Sequence, residues 1–180
     1  MRHQLQRLFR NQRWILLLLS LFAFLFHFIF TAILSTAEIR TFANSIYQLI
    51  PPVFRSMAGF GDSSNLLSSR LIAFGYNHPA SLLMLMFIPI STASRYISAE
   101  IENRTIDLLL IRLYPRYRLI TGTFLFALTA HTLLYSVMIA GTFTGRMVFG
   151  LQAEFTMLQI LRVAGIGLLF YTAVTAVVIF

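Results

Sequence analysis

From Trp14 to Leu34 the chain reads "WILLLLSLFAFLFHFIFTAIL", with no charged side chain, no proline and no glycine. A helix rises about 1.5 Å per residue, so about 20 such residues cross a hydrocarbon core about 30 Å thick. The run predicts a membrane-spanning helix, interrupted by little except His27. Only 11% of the residues are charged and 58% are hydrophobic, with a mean hydropathy of +0.78. Soluble chains average about 25% charged residues. Three further runs follow, at about 79–96, 119–140 and 157–180. The second reaches spanning length only if its helix continues into the polar segment beyond Thr92, and Pro79 suits its first turn because it has no N–H to leave unpaired. The expected fold is an all-α polytopic transmembrane bundle forming one domain over 1–180.

Charge predicts the orientation. All fourteen basic residues are arginine. Arg2, Arg7, Arg10 and Arg13 precede the first span, and Arg95, Arg104, Arg112, Arg116 and Arg118 lie between the second and third. Arg40, Arg55, Arg70 and Arg146 occupy the other connections, and Arg162 lies near the start of the fourth span. The positive-inside bias places the N-terminus and 93–118 in the cytoplasm, and 35–78 and 141–156 outside. The first run is longer than a signal-peptide core and no small-x-small site clearly ends it, so it reads as a retained helix. Topology and anionic headgroups account for the net charge of +8, and no nucleic-acid partner is expected. With no cysteine, disulfides and thiolate metal sites are excluded.

Phe42, Ile46, Leu49 and Ile50, then Val53 and Phe54, recur at helical spacing around "PP" at 51–52. They predict short helices in the outer interface, or alternatively a cover over the tops of the spans. "GTFTG" at 141–145 could allow two helices to approach closely, but glycine near a helix end is read here as a stop. His27 and His131 lie within spans, where ionisable groups are functional candidates. Without an acidic partner in the apolar runs they read as helix-packing hydrogen bonders. Glu154 and Arg162 read as interfacial. No Ser/His/Asp set, H-E-x-x-H motif or paired intramembrane carboxylate supports enzyme chemistry or a metal site.

The most charged stretch is "SAEIENRTIDLLLIRLYPRYR" at 98–118. From Arg95 to Leu113 it holds neither proline nor glycine, so the second span can continue into the cytoplasm as an amphipathic helix. Glu100 and Arg104 stand at i,i+4, with Asn103 and Asp107 near the same stripe, while Ile106, Leu109, Leu110 and Leu113 form an apolar face. Such a helix can lie on headgroups, dock a partner or be merely solvated. Glu100, Glu102 and Asp107 oppose plain binding to an anionic leaflet.

The segment "ISAEIENRTIDLLLIRLYPRYRLITG" resembles the cytoplasmic signature of the type-two class of ATP-binding cassette permeases. Glu100, Glu102, Thr105, Asp107, Leu108, Leu109, Leu110, Arg116 and Gly122 stand at matching positions, and "IPPVFRSMAG" and "YNHP" are similar to that family's outer loop. Arg104 stands where the family usually has glycine, and its proline near Leu113 is displaced to Pro115. The resemblance implies a permease subunit of an exporter, pairing as a homodimer or heterodimer in the cell membrane. A separate cytoplasmic ATPase would couple through Glu100, Glu102, Thr105, Asp107, Leu109 and Arg116. No G-x-x-x-x-G-K-[ST] motif occurs, so ATP-Mg would be bound by that partner, and this chain would carry no cofactor and no catalytic site. Such permeases commonly have six spans, so the sequence is expected to be C-terminally incomplete by roughly 60 to 90 residues. The alternative reading is a membrane anchor or scaffold that recruits a cytoplasmic partner through 94–118.

Overall fold

A computed structural model of the chain describes residues 2–53, 66–95, 116–151 and 157–179. Among these residues there are six helices and no strand: α1 (Arg2–Ser35), α2 (Ala37–Leu49), α3 (Leu66–Tyr76), α4 (Pro79–Ala93), α5 (Arg116–Phe149) and α6 (Met157–Ile179). Four stretches of the described residues are long and apolar enough to cross a membrane: Leu5–Ser35, Leu71–Ala93, Ile120–Phe149 and Met157–Ile179.

Three of these differ from the expected spans, each for a local reason. Nothing between Arg2 and Ser35 breaks a helix, so α1 takes in the basic N-terminal turns as well as the apolar run. The second span begins before Pro79. It is assembled from α3 and α4, with a jog at Asn77–His78 where the missing proline N–H interrupts the helical ladder. His78 caps α4, its Nδ1 accepting from the amide of Ala80 at 3.3 Å. The third span runs straight through Gly141 and Gly145. It stops instead at Gly150, whose φ of 60° is the left-handed conformation that ends helices. The coupling helix expected within 94–118 lies outside the described residues, except for Ser94 and Arg95 at the end of α4 and the first turn of α5.

Side-chain contacts fix the relative directions of the helices. Phe9 meets Phe126 with ring centroids 4.9 Å apart, and Phe28 meets Phe149 at 5.2 Å, so α1 and α5 run parallel. Tyr76 meets Thr142 and Leu85 meets His131, so α4, with α3 before it, runs antiparallel to α5. His131 also stacks on Tyr171 at 5.4 Å, beyond the point where Tyr135 closes on Gly167, which makes α6 antiparallel as well. The start of α1, the end of α4, the start of α5 and the end of α6 therefore share one end of the bundle. Arg7, Arg10, Arg13, Arg95 and the backbone of Arg116 gather there.

The α1–α5 contact explains why two glycines sit inside a helix. A Cβ on Gly141 would lie 2.6 Å from the carbonyl oxygen of Phe24, and one on Gly145 would lie 2.9 Å from the Thr31 Cβ. Lipid is as apolar as leucine, so helices associate in it through close packing and hydrogen bonds, and small residues four apart let two backbones meet. "GTFTG" is a packing surface and does not end the helix. Leu8, Gln12, Leu16, Ala23, His27, Thr31 and Leu34 are buried along the facing side of α1, while Trp14, Leu17, Leu18 and Leu21 are exposed on its outer side.

α2 packs Ile39 against the core, and Phe42, Ile46 and Leu49 form an exposed apolar stripe at i, i+4 and i+7, with Val53 also exposed beyond the end of the helix. Thr41, Ser45 and Gln48 lie on another exposed face. That division suits a helix at a boundary between lipid and water.

Candidate functional site

The residues expected to couple to a partner are mostly beyond description. Glu100, Glu102, Thr105, Asp107 and Leu109 lie outside the described residues, and of Arg116 only the backbone, the first residue of α5, is described. What the structure does define is how the span leading into that segment is held.

That span contains two prolines, Pro79 and Pro89, and each lacks the N–H that would pair with the carbonyl four residues earlier. Unpaired carbonyls are costly in a bilayer interior and must find other donors. Pro79 frees the carbonyl of Gly75, which accepts from the Ser81 hydroxyl at 2.8 Å and from the His78 amide at 3.4 Å. Pro89 frees the carbonyl of Leu85, which accepts from His131 Nε2 at 3.0 Å. A carbonyl can only accept, so His131 carries its proton on Nε2 in this arrangement. Tyr171 of α6 donates its hydroxyl to the Leu82 carbonyl at 3.2 Å, one turn earlier, and its ring stacks on His131. The second span is thus tied to α5 and α6 through its own backbone.

A second polar group joins α1, α3 and α5. Thr142 donates its only hydroxyl hydrogen to the Met138 carbonyl at 3.0 Å, so its oxygen can only accept. Tyr76 donates to it at 3.1 Å, and His27 Nδ1 approaches at 3.4 Å. This fixes the proton of neutral His27 on Nδ1 and leaves Nε2 without a partner, in a side chain only 1% exposed. The His27 and Tyr76 rings lie 4.6 Å apart, and the Thr31 hydroxyl donates to the His27 carbonyl at 2.7 Å.

Of these residues, His27 and His131 were legible as candidates in the sequence. Tyr76, Tyr171, Thr142 and Ser81 were not, although the two prolines of the second span signal that two carbonyls need outside donors. No cluster of three or more His, Cys, Asp or Glu side chains suited to a metal occurs among the described residues. Chemically, the arrangement offers hydrogen bonds that hold a discontinuous span. In comparisons with known proteins, no family model, curated protein or solved structure matches this chain.

Proposed function

We propose that this chain is the membrane-spanning permease subunit of an ATP-binding cassette exporter. In this reading residues 94–118 receive the motion of a separate cytoplasmic ATPase and pass it into the second and third spans. The subunit pairs with a second permease chain in the cell membrane, its N-terminus in the cytoplasm. It carries no ATPase site, and ATP-Mg belongs to the partner. Glu100, Glu102, Thr105, Asp107, Leu109 and Arg116 are the proposed contacts.

One observation carries the reading beyond the resemblance of the 97–122 segment. The helix that enters this segment is interrupted at Asn77–His78 and weakened at Pro89, and its freed Leu85 carbonyl is held by a side chain of the helix that leaves the segment. A span built in this way can bend at defined points while staying attached to its neighbours, as transporters do with discontinuous helices. A passive anchor has no need of such joints.

The experiment is to purify the chain from its native membranes after mild cross-linking and to ask whether a Walker-type ATPase comes with it. The reading expects an ATPase, lost when Glu100 and Asp107 are both changed to lysine while the chain still inserts. A partner that is not an ATPase would favour the scaffold reading, and unchanged ATPase association in the double variant would remove the docking role of the acids.

A further inference from the structure

Arg7, Arg10, Trp14, Leu17 and Leu21 recur at spacings of three and four, so they share one stripe along α1. The stripe faces away from the bundle: Trp14, Leu17 and Leu21 are 66%, 59% and 57% exposed, and Arg7 and Arg10 are exposed with them. Arg13 is exposed beside the stripe, its guanidinium 5.4 Å from the Trp14 ring centroid. A single outward face therefore passes from arginine through tryptophan to leucine, which is the polarity profile of a lipid molecule from headgroup to chain. No carboxylate occurs between residues 1 and 37, so nothing in this stretch of sequence offsets the arginines.

We infer that this face binds an anionic phospholipid, its phosphate and net negative headgroup between Arg10 and Arg13 and an acyl chain along Trp14, Leu17 and Leu21. Guanidinium forks match phosphate oxygens, and an amphipathic indole suits the boundary between headgroup and chain. Phosphatidylcholine offers the same phosphate, but its choline cation would stand beside the arginines. Charge complementarity therefore selects a net-anionic lipid. Opposite this face, Leu8, Gln12 and Leu16 are buried, so the bundle holds the stripe rigidly toward the lipid. The inference does not depend on the transport reading.

Trp14 is the only tryptophan of the chain, so its fluorescence reports on this face alone. The unaltered protein is placed in phosphatidylcholine vesicles containing a minor fraction of brominated phosphatidylglycerol, and in matched vesicles where the bromine is on phosphatidylcholine. Quenching by the anionic lipid should exceed its mole fraction by about fivefold, as for one favourable arginine contact at the surface. The excess should fall with added sodium chloride and disappear in Arg10→Gln/Arg13→Gln. Quenching that follows mole fraction in the unaltered protein would overturn the inference. So would an excess that survives in the double variant, or one that inorganic phosphate removes at constant ionic strength. Should the double variant fail to insert, the salt dependence in the unaltered protein decides.

Discussion

His131 donates from Nε2 to the carbonyl of Leu85, the carbonyl that Pro89 leaves without its helical partner. A donor from the third span thus completes the backbone of the second. The pairing gives His131 a structural role for as long as residue 89 is proline.

His131→Phe should leave the Leu85 carbonyl unpaired in an apolar interior and destabilise the fold by about 1–2 kcal/mol. In a Pro89→Ala background the alanine amide can take over that carbonyl, so the same His131 substitution should cost much less. Reversible unfolding in mixed micelles measures the cycle. Additive effects of the two substitutions would mean that histidine and proline are not linked.

Gly141→Ala would press a methyl group against the Phe24 carbonyl, and Gly145→Ala against Thr31. Each should cost about 1–3 kcal/mol by forcing α1 and α5 apart. Gly165, around which a methyl would meet nothing within 4 Å, serves as the control, and its change to alanine should be neutral or slightly stabilising. Unfolding midpoints of the three variants distinguish the packing role from a general intolerance of larger residues.

Thr142→Val removes the one oxygen that accepts from both Tyr76 and His27. It should cost about 1 kcal/mol or more, because two buried donors lose their acceptor. Tyr76→Phe deletes a single donor and should cost less, and adding it to Thr142→Val should cost almost nothing further. Equal and additive losses would show that the three residues do not act as one network.

The arginine asymmetry predicts the orientation, and the absence of native cysteine makes it simple to test. A cysteine at Ser64 should react with a membrane-impermeant maleimide on intact cells, and a cysteine at Ser98 should react only after permeabilisation. Labelling of Ser98→Cys from outside would invert the topology.

The sequence by itself determined that the chain spans a membrane and how many apolar runs it presents, because lipid requires each spanning backbone to satisfy itself and apolar length is read directly. It also marked Pro79 at the start of the second span and the two intramembrane histidines. It could not say which spans touch, since lipid is as apolar as a packed helix face and periodicity there carries little information about facing. Packing decided that Gly141 and Gly145 are a contact surface and not a helix end, because only the position of the Phe24 backbone shows why a side chain cannot stand there. Packing likewise paired Pro89 with His131 and Thr142 with Tyr76 and His27. These residues lie 42, 66 and 115 positions apart in the chain. Hydrogen-bond partners at such separations are chosen by how helices are arranged in the bundle, which no local pattern encodes.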